Sequence, residues 1–103
     1  MTNPPRIQRL SLLAGARKAE GVAVVIDVLR AFTWAAFMAY LGTERLILHS
    51  ETESVLQFKE QTGCLAVGEV GGKRPPGFDF GNSPARILAA GRDTFSGRTV
   101  AQR

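Results

Sequence analysis

Cysteine, histidine, tryptophan and tyrosine each occur once in these 103 residues. A lone cysteine forbids an internal disulfide. Cys64 sits in an apolar run with no histidine or basic residue beside it, so it reads as a buried structural thiol of a protein kept in a reducing, cytoplasmic compartment. The single histidine, His49, has no identifiable catalytic partner and reads as structural or exposed rather than as a general base. No run of basic residues exists either. The arginines are scattered from Arg6 to Arg103 without interleaved aromatics, and the net charge is only +4, which suits solubility and small anions better than nucleic acid. Residues 1–5 are polar and proline-rich and no long apolar run follows the early arginines, so no secretory signal is expected. The apolar span 22–41 is interrupted by Asp27 and Arg30, each costing about 2.5–3.5 kcal/mol at a bilayer centre, which argues against a membrane helix. Internal repeats and low-complexity tracts are absent.

What is present is the composition of one globular domain, 45% hydrophobic and 21% charged, large enough for a single core. The stretch around which the rest is arranged is Val22-Ala23-Val24-Val25-Ile26-Asp27-Val28-Leu29-Arg30-Ala31-Phe32-Thr33. Five consecutive apolar residues, mostly β-branched, predict a central strand buried on both faces. A carboxylate at its exit and an arginine as a helix begins are costly unless a ligand uses both charges.

Before this stretch, residues 7–13 alternate loosely and predict an edge strand or a frayed start, and residues 14–21 a polar connection. After it, Ala31, Trp34, Ala35, Met38 and Leu41 recur at helical spacing with Gly42 as a C-terminal cap. Trp34, Phe37 and Met38 belong to the core. Residues 45–49 predict a second strand and residues 50–61 a second helix, capped by Ser50, Thr52 or Ser54 and closed by Gly63. Residues 64–68 predict a third buried strand ending at Glu69. A Gly- and Pro-rich loop then leads to Ser83-Pro84, cap and first turn of a helix over 84–90 ended by Gly91. Residues 97–101 open a fourth strand close to Arg103, which leads us to expect a fragment. The alternation specifies an α/β domain: a mostly parallel sheet with helices on its faces, an incomplete three-layer architecture over residues 1–103.

Ligands of such sheets gather beyond the carboxyl ends of the strands, where Asp27 and Glu69 stand. Asp27, Arg30 and Thr33 follow one another at intervals of three, so a carboxylate, a guanidinium and a hydroxyl can border one crevice. An anion there would meet the guanidinium and free backbone N–H groups. An Asp27–Arg30 surface salt bridge, with Asp27 capping the helix, explains the spacing equally well. Glu69 opens Gly68-Glu69-Val70-Gly71-Gly72-Lys73-Arg74. Two carboxylates at strand ends suit magnesium, a hard cation that keeps waters for phosphate to displace; a solvated loop glutamate is the alternative. In Pro75-Pro76-Gly77-Phe78-Asp79-Phe80-Gly81-Asn82-Ser83-Pro84, Gly77 and Gly81 permit positive φ or close backbone approach. Phe78 and Phe80 can pin the loop with Asp79 on the opposite side, and the helix opening after Asn82 and Ser83 can hold an oxyanion.

The Val25-Ile26-Asp27-Val28-Leu29-Arg30-Ala31 motif, Gly68-Glu69 with its following glycines, and Gly77-Phe78-Asp79-Phe80-Gly81-Asn82-Ser83-Pro84 resemble, in order and separation, the N-terminal half of the 2-phosphosulfolactate phosphatase family, magnesium-dependent enzymes of coenzyme M biosynthesis. The resemblance implies an α/β phosphohydrolase acting on a small phosphorylated, sulfonated hydroxy acid. It implies Asp27, Arg30, Glu69 and Asn82 as catalytic residues and Asp27 and Glu69 as ligands of Mg2+. Arg30, Thr33, Asn82 and Ser83 are then substrate-binding, with Arg30 on phosphate or sulfonate, Asn82 and the Ser83 amide on another oxyanion, and Asp79 as a further acid. The chain departs from the family in carrying Phe32 and Trp34 around Thr33, where small residues and threonines are usual, and in lacking the Thr- and Asn-containing motif of the longer members. The alternative expectation is a non-enzymatic, anion-binding or oligomerising remnant of the fold that pairs with another chain, a homo-oligomer being one form of it.

Overall fold

A computed structural model describes residues 3–27 and 31–103. The elements are α1 (Leu12–Ala16), α2 (Ala31–Tyr40), β1 (Arg45–Leu48), α3 (Thr52–Thr62), β2 (Leu65–Val67), α4 (Pro84–Phe95) and β3 (Thr99–Gln102). The three strands form one sheet in the order β1-β3-β2, with both pairings parallel and Ala101 level with Ile47 on one side and Ala66 on the other. The α/β class, the parallel sheet and the flanking helices therefore agree with the sequence.

Alternation along the strands sorts the side chains into two cores. Leu65, Val67 and Val100 face α2 and α4, where they meet Trp34, Met38, Leu41, Ile87 and Phe95. Ala66 and Ala101 face α3, with Val55, Cys64 and Phe78. A period of two in buried strands thus makes three layers, and every residue of β2 is buried. Cys64 is a buried free thiol, as expected. Two right-handed crossovers that step in opposite directions must carry their helices on opposite faces. The step from β1 across β3 to β2 uses α3 on one face, and the step back from β2 to β3 uses α4 on the other.

Local signals set most boundaries. Gly63 takes the left-handed conformation and its N–H bonds the Lys59 carbonyl, ending α3. Pro84 occupies the first turn of α4 with Ser83 before it, but Ser83 makes no side-chain capping bond; the residue preceding α3 is Glu51 rather than Ser50, Thr52 or Ser54, and it makes none either. The helix expected over 84–90 does meet a break at Gly91, yet helical residues resume beyond it to Phe95. That second piece delivers Phe95 into the core, edge-on to Trp34 at 6.2 Å and tilted against Phe80 at 5.2 Å.

The main correction concerns the expected central strand. Residues 22–26 form no strand, and Val22, Val24, Val25 and Ile26 are 77–96% exposed. Because α2 lies on the face of α4, a right-handed crossover from residues 22–26 through α2 to β1 must start beyond the outer edge of β2. That edge is already occupied. The Ala66 carbonyl accepts from the N–H groups of Asp79 (2.8 Å) and Phe80 (3.3 Å), and the Gly68 N–H donates to the Phe80 carbonyl at 3.1 Å. Residues 7–13 likewise form no edge strand; they are irregular before α1, and residues 3–27 are exposed except Gly15.

Candidate functional site

The carboxyl end of β2 is the best-built polar corner of the molecule. β2 stops at Gly68, whose φ of +150° and tight surroundings admit no side chain. A Cβ there would stand 2.9 Å from the Arg103 carbonyl oxygen and 3.2 Å from the Phe78 ring. Glu69 follows at once. Its Oε1 accepts from the Asn82 N–H at 2.9 Å, and its carbonyl accepts from Arg103 Nη1 at 3.1 Å. Gly81 makes the first contact possible, because a Cβ on it would stand 2.9 Å from Glu69 Oε1. The close approach expected of Gly81 is thus what lets the carboxylate lie over the loop.

Asn82 completes the corner. Its side chain is 8% exposed, and its Oδ1 is buried without a hydrogen-bond partner among the described residues. A buried amide oxygen left so costs about 1–3 kcal/mol, so this atom is suited to accept from, or coordinate, something the chain does not itself provide. Ser83 follows directly, at the start of α4.

The loop that carries Asn82 is anchored by means the sequence only partly announces. Phe78 enters the α3-side core and Phe80 packs on the α2/α4-side core, so the loop straddles the sheet edge instead of presenting both rings to one side. Asp79 lies between them, with one carboxylate oxygen already committed to the fold. Its Oδ2 accepts from the Ala66 N–H at 2.8 Å and from Lys59 Nζ at 2.9 Å. Lys59 also donates to the Gly77 carbonyl, at 3.0 Å, and Arg74 Nη1 to the Asp79 carbonyl, at 3.1 Å. Lys59 and Arg103 were not singled out from the sequence. A basic residue on a helix carries no local mark of which distant carboxylate it will meet.

The structure therefore brings together Glu69, Asn82 and Ser83. Asp27 is exposed in an irregular segment, Thr33 is exposed on α2, and Arg30 lies outside the described residues. No group of three or more His, Cys, Asp or Glu residues is placed to hold a metal among the described residues, so a cation at this corner would draw on Glu69 and amide oxygen. The His49 ring lies 5.6 Å from that of Phe58, and its Nε2 is buried without a hydrogen-bond partner among the described residues. No helix among the described residues is long and apolar enough to cross a membrane.

A three-layer α/β sheet with a carboxylate and a buried amide at the carboxyl end of one strand defines the class. The particular family follows from comparison with known proteins. The family model for 2-phosphosulpholactate phosphatase matches residues 9–102, and the chain belongs to that family. It is 46% identical over 79 residues to a protein of Thermus thermophilus named as a probable 2-phosphosulfolactate phosphatase, covering 77% of this chain and 32% of that one. A protein of the same name from Deinococcus radiodurans is 46% identical over 67 residues, 64% of this chain and 28% of the other. One from Thermoplasma acidophilum is 33% identical over 81 residues, 78% and 36% respectively. The chain thus spans about a third of the length of these relatives.

Proposed function

We propose that this chain carries part of the active site of a magnesium-dependent phosphatase that hydrolyses 2-phosphosulfolactate, or a closely related small phosphoester, to the hydroxy acid and inorganic phosphate. The observation that supports this most directly is the Glu69–Asn82 corner. It offers a carboxylate held in place by the Asn82 N–H and a buried amide oxygen with no partner of its own among the described residues. Oxygen donors of this kind suit Mg2+, which takes one or two carboxylates and keeps its remaining positions for water and substrate phosphate.

Glu69 would hold the metal, with Asn82 Oδ1 as a neutral donor beside it; Asp27, exposed in an irregular segment here, would join them as the second carboxylate once the remainder of the family's fold is in place. Bound there, Mg2+ supplies Lewis-acid stabilisation of the charge on phosphate oxygens. The chain's residues would do the rest by positioning. Arg30 offers a forked guanidinium for a phosphate or sulfonate. Thr33 and the backbone at Ser83, at the opening of α4, offer further donors to the oxyanions. In the reaction a water oxygen bonds to phosphorus, the bond from phosphorus to the ester oxygen breaks, and the alcohol leaves with a proton.

The test has two arms. Magnesium added to the 103-residue chain should raise its melting temperature and should fail to do so in the Glu69→Gln variant, whatever the activity. Phosphate release from 2-phosphosulfolactate should be magnesium-dependent and EDTA-sensitive once the chain is joined to the remainder of the Thermus thermophilus relative. A folded joined protein that releases no phosphate from this or other small phosphoesters refutes the proposal.

A further inference from the structure

The largest unexplained feature of the chain is not polar. Residues 22–26 are a solid β-branched run exposed to solvent, and they lie within the span matched by the family model. The next element is unusual in the same way. α2 contains no charged residue over its ten positions, and Thr33, Ala36, Phe37 and Tyr40 line a shallow apolar depression of about 400 Å³ on it. A helix apolar on all sides belongs in the interior of a larger body, and an exposed apolar patch marks an interaction surface.

We propose that residues 22–26 and this side of α2 dock against a polypeptide equivalent to the remaining two thirds of the family's longer members, with residues 22–26 added as a strand to a sheet edge that this polypeptide supplies. Three observations converge on that occupant. The position that right-handed connection assigns to residues 22–26, beside β2, is closed by residues 78–80, so this chain offers them no edge there. A strand apolar on every residue must be covered on both faces, more than one layer of this chain can provide. The relatives named above contain two thirds of their length beyond what this chain spans, enough for the missing edge and its covering layers. The radius of gyration, 16.3 Å against about 13 Å for a compact body of this length, agrees with a chain whose exposed N-terminal residues lie off the two cores.

The inference stands on the apolar surface and the topology, and does not rest on the phosphatase reading; docking is read without any substrate or metal. The experiment is to co-express the 103-residue chain with the remainder of the Thermus thermophilus relative, and in parallel to link the two through a flexible tether. A one-to-one complex is expected by light scattering, with amide exchange of residues 22–26 slowed at least tenfold relative to the chain alone. Val24→Asp, Ile26→Asp and Ala36→Glu each change an exposed side chain outside both cores. They should weaken co-purification tenfold or more while leaving the melting temperature of the chain alone unchanged. The proposal is overturned if no complex forms by co-expression and the tethered protein leaves residues 22–26 exchanging at the free rate. It is overturned equally if the chain self-associates through residues 22–26 and Val24→Asp merely makes it monomeric.

Discussion

Removing the Asp79 carboxylate should cost the domain more than its position on a surface loop suggests. Two bonds end on its Oδ2: the Ala66 N–H at 2.8 Å and Lys59 Nζ at 2.9 Å. They are unequal. The Lys59 and Asp79 side chains are 33% and 30% exposed, and an ion pair so accessible to water is worth roughly 0.2–1 kcal/mol. The Ala66 amide belongs to a strand residue with no exposure. Losing its charged acceptor forfeits about 1.5–3 kcal/mol and leaves a buried donor unpaired. Asp79→Ala should therefore lose about 2–3 kcal/mol, whereas Asp79→Asn, which keeps an acceptor for the amide, should lose about 1 kcal/mol. Lys59→Met should lose under about 1 kcal/mol. At roughly 4–8 °C per kcal/mol for a domain of this size, Asp79→Ala should melt roughly 10–20 °C lower than the parent. Urea unfolding followed by the fluorescence of Trp34, fully buried in the core, measures the series, with an unchanged slope confirming that stability alone has moved. Asp79→Ala within 0.5 kcal/mol of the parent, or Lys59→Met as damaging as Asp79→Ala, would refute the claim that the carboxylate serves mainly to terminate the sheet edge.

Gly81→Ala places a methyl 2.9 Å from Glu69 Oε1 and should drive the carboxylate off the Asn82 N–H, at about 0.5–1.5 kcal/mol. Its effect should not add to that of Glu69→Ala, which removes the acceptor, in a double-mutant cycle. Phe95→Ala empties the junction between Trp34 and Phe80 and should cost about 3–5 kcal/mol, close to unfolding the chain at 37 °C by circular dichroism. Gly68→Ala forces a side chain against the Arg103 carbonyl at a φ of +150° and should cost about 1–3 kcal/mol, seen as accelerated amide exchange at residues 79 and 80 before global unfolding. Cys64→Ala removes only a thiol from the α3-side core and should fold with a loss near 1 kcal/mol and no change in association state under oxidising conditions, measured by sedimentation.

Much of the candidate corner was legible because its signals are local. Glu69 ends an apolar run, Gly81 precedes the Ser-Pro signal of a helix start, and Asn82 and Ser83 stand where α4 begins. The roles around it were not legible. Asp79 reads as a spare acid until the Ala66 N–H claims it, and Phe78 and Phe80, two apart in a loop, read as sharing a side until the backbone wraps the sheet edge and sends them to different cores. Lys59 gave no sign at all, since its partner is twenty residues away.

By itself the sequence determined which segments become β1, α2, α3, β2 and the start of α4, and that the strands run parallel, because periodicity, caps and chain-breaking glycines act over a few residues and alternation of helix and strand leaves little choice of topology. Tertiary structure alone decided who receives the edge of β2. Hydrogen-bonding groups on a strand edge are few, and residues 78–80 and residues 22–26 are competing claimants, of which the sequence favours the second. The first have two aromatic anchors and a carboxylate to complete the bonding, so the most strand-like stretch of the chain is left outside the sheet.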